Sequence, residues 1–424
     1  MVWYKSIRPV VLAASALAYG ANKAALLDDG SKNERRPYGA ALTMEEKRKK
    51  AKQAIKRQMV IAGIPGLSVG VSVDGRVVWR DGFGFANVES RSRCTENTVM
   101  RIASISKPIT ATIAARLAQS GKLDLDKPIQ EYLPNYPQKK FDGKPVTISV
   151  RQLLSHTGGI RHYKKEEKDK LDPDAFVSSD SEAKEFYSNV CCKNMEESLA
   201  MFQNDDLIAK PGMKFSYSTY GTVLVSAVLE KASGKEYKKL LEDLTFQLGL
   251  RHTTLDENKR VIPDRTNYYV RNRKHILENC PEVDNSCKWA GGGLLSDVND
   301  LLTFANYILY SHQADPNAKD AYLSKEVIDM LWNGQAAVND RILAGLGWMR
   351  VNSDDFAGGH QKSSLGGIWY HTGAGVGASS VLLIRPKNSA DNKPPSGVCV
   401  AMLCNLQDTS LLNLAKEIEE IFRD

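Results

Sequence analysis

The chain has no Cys-x-x-Cys pair, no His-Glu-x-x-His segment and no calcium-loop pattern, so nothing in it implies a metal. It has no internal repeat and no low-complexity tract, which excludes a repeat array or a tail-like protein. No basic stripe is interleaved with aromatics, so nucleic acid is not an expected partner. The net charge of +7 is scattered through mixed runs such as Lys164-Lys165-Glu166-Glu167-Lys168-Asp169-Lys170, which read as solvated surface. Cysteine is scarce: seven in 424 residues, with Cys191 and Cys192 adjacent and poorly placed to bridge each other. That number does not make a disulfide framework. Cys280 and Cys287 can approach across a loop, but the favoured reading is two free thiols. Cys399 and Cys404 sit in an apolar strand-like run and read as core. The seven histidines are dispersed. Long hydrophobic runs are also missing: the apolar stretch from Pro9 to Ala21 is too short and alanine-rich for a firm membrane span.

What remains is an ordinary globular composition, 42% hydrophobic and 25% charged, long enough for one large or two interleaved domains. The amino terminus differs. Residues 1–27 carry Lys5, Arg8 and Lys23 and no acid precedes Asp28. A basic start with a short apolar centre fits a secretory signal; a basic, acid-free start equally fits a mitochondrial presequence. Residues 1–40 are therefore set apart as a targeting or anchor segment, and membrane proximity through them stays open.

From residue 41 onward the pattern is that of a folded domain. Residues 41–62 read as a helix entered from Thr43, with Glu45 and Glu46 in its first turn. Leu67 to Val73 alternates as a strand, Asp74-Gly75 is a hairpin turn, and Arg76 to Arg80 returns. Residues 110–310 are mostly helix and loop. Strand patterns reappear at Gly345 to Met349, Ile368 to Thr372, Ala378 to Ile384 and Val398 to Cys404, before an amphipathic helix from about Thr409 to Phe422. Strands at both ends of a helical middle predict an α/β (α+β) fold. An antiparallel sheet is built from about 41–110 and 340–424, and a mainly helical lobe of about 111–339 is inserted in it.

Three segments carry chemistry. Ser104-Ile105-Ser106-Lys107-Pro108 opens an apolar-periodic stretch marked by Ile109, Ile113 and Leu117, so a helix is expected to start at the serine. Serine and lysine three apart lie on one side of the first turn. The amine can take the hydroxyl proton, and the positive end of the helix favours a neutral lysine and a developing oxyanion. This is the Ser-x-x-Lys arrangement of serine acyl-enzymes. Ser181-Glu182-Ala183-Lys184 matches it too, but in a charged, loop-like stretch. Tyr217-Ser218-Thr219 follows the Lys210-Pro211-Gly212 turn and precedes a helix expected near Val223. A tyrosine beside a lysine can relay a proton. His371-Thr372-Gly373-Ala374 ends at a glycine that lets a substrate backbone approach a strand edge, and the amides of Ala374 and Ser104 are candidate oxyanion donors. Gly66-Leu67-Ser68-Val69-Gly70 matches the Gly-x-Ser-x-Gly elbow, but Ser68 lies inside an alternating strand rather than at a strand-to-helix turn. His156, in Ser155-His156-Thr157-Gly158-Gly159, reads as a turn residue ending a helix.

The order Ser-x-x-Lys, Tyr-Ser-x, His-Thr-Gly resembles the penicillin-binding-protein and class C β-lactamase superfamily. Leu153-Leu154-Ser155-His156-Thr157-Gly158-Gly159-Ile160 and Gly291-Gly292-Gly293-Leu294-Leu295-Ser296 also look like its landmarks, and with Lys288-Trp289-Ala290-Gly291-Gly292-Gly293 the eukaryotic mitochondrial serine β-lactamase-like branch is the most similar. The resemblance spans about residues 45–424. It implies a β-lactamase/transpeptidase-like fold with the site in a cleft, and it favours mitochondrial targeting over secretion. It implies Ser104 as nucleophile, Lys107 as its base, and Tyr217 as proton donor to the leaving group. His371, Thr372, Gly373 and Ala374 would bind the substrate. Two departures stand out: His371 replaces a lysine, and Thr219 an asparagine. A mostly neutral histidine weakens the case for a carboxylate-bearing β-lactam or D-Ala-D-Ala terminus. The expected activity is acyl-enzyme hydrolysis of a peptide or small amide, with an esterase or a non-catalytic scaffold as the alternatives. No cofactor is expected, and a homo-oligomer is compatible with the sequence.

Overall fold

The first and last strands lie side by side within one sheet. In the computed structural model, which describes residues 41–164, 184–351, 367–387 and 393–423, the Gly66–Val73 strand pairs antiparallel with Gly397–Cys404, Leu67 opposite Cys404. From one edge the nine strands run Ala336–Ala337, Ile342–Ala344, Met349–Val351, Ile368–Gly375, Ala378–Pro386, Gly397–Cys404, Gly66–Val73, Arg76–Asn87 and Ser92–Arg93, every neighbour antiparallel. Residues 42–424 form one unit.

The first helix, Met44–Ala62, begins where the sequence places it. Thr43 caps it, and Glu46 returns the bond to the Thr43 amide in a capping box. The last helix, Leu412–Arg423, starts three residues later than expected and packs against the first on one face of the sheet. Ala51, Ile55, Ile418 and Phe422 there meet Leu67, Val69, Val381 and Met402. The alternate residues Leu382, Ala401 and Leu403 face the other way, onto Leu301, Leu302 and Phe304 of the Val298–Gln313 helix. A strand buried on both faces must be apolar throughout, as Gly397–Cys404 is.

Three expectations shift. The strand expected at Gly345 to Met349 is the turn between Ile342–Ala344 and Met349–Val351; Gly347 is left-handed at φ 74, and a side chain there would press on Ala111. The helix expected near Val223 starts at Thr219, capped by the Ser218 hydroxyl. The two-free-thiol reading of Cys280 and Cys287 is half wrong: Cys287 is bonded to Cys192, 95 residues away, and only Cys280 is free. Local spacing carries no trace of a partner that distant. The Ser181 motif lies outside the described residues. No described helix is long and apolar enough to cross a membrane.

Candidate active site

Ser104 lies in a single 3-10 turn, Ala103–Ile105, which runs into the Ser106–Gln119 helix two residues later than expected. The turn is held from several sides. The Ser380 hydroxyl donates to the Ile102 carbonyl (2.8 Å), and the Ser106 hydroxyl donates to the Ala103 carbonyl (2.6 Å). Ala103 sits at φ 46, a left-handed conformation that a non-glycine residue adopts at a cost.

One turn on, Lys107 is only 1% exposed. Its ammonium nitrogen donates to Ser104 Oγ (3.0 Å), Thr219 Oγ1 (3.3 Å) and the Gly291 carbonyl (2.6 Å). The Tyr217 hydroxyl donates to the same Ser104 oxygen (2.7 Å), and Lys107 Nζ lies 4.6 Å from the Tyr217 ring centre. Ser104, Lys107 and Tyr217, spread over 113 residues of chain, thus converge on one oxygen. Gly291 must be a glycine, because a Cβ there would strike the Thr219 side chain and carbonyl.

The cleft above them has a volume of about 360 Å³. His162, Tyr163, Phe186, Phe215 and Tyr217 form an aromatic wall, and Val338, Ile342 and Met349 line another part. The Ile368–Gly375 strand borders it. Pairing with Met349–Val351 stops at Tyr370, so among the described residues the outer edge from His371 to Gly375 has no partner strand. Thr372 and Ala374 are exposed on that edge. Gly373 lies against the Ser104 turn, where a Cβ would overlap Ser380 Oγ and the Ile102 carbonyl. His371 borders the cleft but is only 3% exposed, with Nδ1 2.6 Å from the Thr372 carbonyl.

Burial, and then the Lys107 charge, push the His371 pKa from 6.5 to about 3. His156 is held well below 6.5 by burial and then by Lys107, His371 and His162. Both are therefore neutral in the fold, whereas the unfolded chain takes up protons near pH 6.5. The stabilisation is complete above about pH 6.5 and is lost as pH falls toward 3. At pH 5 the loss from His371 alone is about 2 kcal/mol. Denaturant midpoints measured between about pH 7.5 and 5 are expected to fall more steeply for wild type than for His371→Gln. Equal slopes would mean that the folded imidazole does protonate.

The sequence reading passed over His156 as a turn residue and did not single out His162. Their rings lie 4.5 Å and 5.5 Å from that of Tyr217. Neither belongs to a spacing motif with Tyr217, so no local signal marks them. Among the described residues His252, Asp297 and Asp300 bring metal-type ligand atoms together. Their bonds are spent internally: Asp300 accepts the amides of Arg251, His252 and Thr253, and Asp297 pairs with His252.

The site is thus a serine bonded to both a buried lysine and a tyrosine, beside the unpaired edge of an antiparallel sheet, a geometry suited to a serine hydrolase. The beta-lactamase family model matches residues 51–420, and the chain belongs to that family of serine hydrolases. It is 38% identical over 423 residues to "Serine beta-lactamase-like protein LACTB, mitochondrial" of Mus musculus, covering 84% of this chain and 76% of the relative. The octameric penicillin-binding protein homologue from Pyrococcus abyssi is similar at TM-score 0.67 and 25% identity, over 87% of this chain and 75% of that one. The D-stereospecific amidohydrolase from Streptomyces sp. has TM-score 0.66 and 25% identity, over 87% and 97%. The mitochondrial relative agrees with the mitochondrial expectation over the secretory one.

Proposed function

We propose that the protein is a serine peptidase that cleaves amide bonds through an acyl-enzyme on Ser104. The observation that carries this reading is the shared oxygen: Ser104 Oγ meets both Lys107 Nζ and the Tyr217 hydroxyl within hydrogen-bond reach. Lys107, in its unprotonated form, takes the hydroxyl proton as Oγ attacks the carbonyl carbon. The negative charge develops on the carbonyl oxygen, toward the amides of Ser104 and Ala374. Tyr217 gives its proton to the leaving nitrogen as the C–N bond breaks, and Lys107 returns a proton to Tyr217. Water then attacks the acyl carbon with the same groups in reverse. The substrate pairs along His371 to Gly375 as an added strand.

The reading favours a substrate without a carboxylate at His371, since a neutral imidazole supplies no fixed positive charge there. The amidohydrolase neighbour supports amide over ester chemistry. Profiling purified protein on peptide amides and matched esters tests this. Turnover of a set of peptides that is lost in Ser104→Ala supports it. Hydrolysis of esters with no peptide cleaved would make the protein an esterase, and absence of any acyl-enzyme would leave a scaffold.

A further inference from the structure

His156 occupies a costly position. It follows the Val150–Leu154 helix at φ 57, in the left-handed region that a residue with a Cβ disfavours. It is only 4% exposed, and its Nε2 has no hydrogen-bond partner. An outlier of this kind persists only where its surroundings over-determine it, and it often marks a function.

What the conformation achieves is local to Tyr217. The Ser216 amide donates to the His156 carbonyl (2.7 Å). The Ser218 amide donates to His156 Nδ1 (3.2 Å). The residues before and after Tyr217 are thus both held by one residue. The imidazole also lies 4.5 Å from the Tyr217 ring, tilted by 39°. Accepting at Nδ1 places the ring proton on Nε2, and a neutral imidazole keeps that acceptor across the physiological range.

We propose that His156 is a positioning residue that clamps Tyr217 from its backbone and its ring, so that the phenol oxygen stays beside Ser104. Small misplacement of a proton donor costs much rate. The inference rests on Tyr217 serving as acid to the leaving group, and that dependence supplies the test. A leaving group that departs easily needs little protonation, and a poor one needs much.

The experiment follows the rate constant for acylation of Ser104, by intact mass, with p-nitrophenyl and trifluoroethyl esters of one acyl group. Wild type is compared with His156→Ala and His156→Asn. Asparagine tolerates the left-handed conformation and puts an oxygen where Nδ1 stands. His156→Ala is expected to lose about tenfold more rate on the trifluoroethyl ester than on the p-nitrophenyl ester. His156→Asn is expected to recover a substantial part of that difference. Partial unfolding would lower the labelled fraction without changing the rate constant of the folded remainder. Equal losses on both esters would overturn the proposal while leaving the hydrolase reading intact. Wild type that is acylated by neither ester would sink both.

Discussion

Replacing Ser104 by alanine is expected to lower hydrolysis by roughly ten-thousandfold or more and to remove covalent labelling by a fluorophosphonate. Its oxygen is bonded to both the lysine and the tyrosine, whereas the Thr219 hydroxyl that Lys107 also meets lies farther off, at 3.3 Å. The alanine variant should fold normally, because the turn is held by Ser106, Ser380 and backbone bonds rather than by Ser104 Oγ. Ser68 provides the matched control. It lies in the Gly66–Val73 strand opposite Leu403 and Gly82, fully buried, with a hydroxyl that has no partner. Ser68→Ala should keep activity and labelling, and removing an unpartnered buried hydroxyl should leave stability unchanged or raised. Intact-mass analysis of both variants decides the matter. Labelling that survives in Ser104→Ala, or vanishes in a folded Ser68→Ala, would move the nucleophile elsewhere.

Lys107→Met is expected to separate activity from stability. Loss of a general base costs roughly a hundred- to ten-thousandfold in rate, and among the described residues no other amine is bonded to Ser104. The fold should survive. A buried ammonium carries a desolvation cost, and an apolar side chain of similar length removes it. The partners released include the Gly291 carbonyl, Thr219 and Ser104, and the two hydroxyls retain bonding options near the cleft. A melting temperature within a few degrees of wild type, with acylation nearly gone, is the expected pair of results. A variant that keeps activity within tenfold would falsify the base assignment. One that unfolds would show that Lys107 is chiefly a structural cross-link between three segments.

The residues of the candidate site differ in how they could be read. Ser104 and Lys107 were legible because they stand three positions apart, and the backbone alone sets their distance. The first helix was legible for the same reason, as Thr43 and Glu46 cap each other across one turn. The Asp74-Gly75 hairpin also declared itself locally, in the two residues of its turn. The later strands were visible by their apolar runs, but the one expected at Gly345 to Met349 fell on a turn. Leu346 and Trp348 there are apolar because the turn buries them in the core, not because they pair as a strand.

By itself, the sequence determined the capped first helix, the hairpin, the apolar central strands and a serine and lysine on one face of a helical turn. These depend on dihedral preferences and on spacings of a few residues, which every chain segment carries with it. Tertiary structure decided that the first strand lies beside the last. It decided that the Gly291 carbonyl reaches Lys107 across 184 residues, that Cys192 finds Cys287, and that His156 bonds the backbone on either side of Tyr217. Each of those joins groups far apart along the chain. Their meeting is set by which faces the sheet and helices bury together, and no local pattern encodes that.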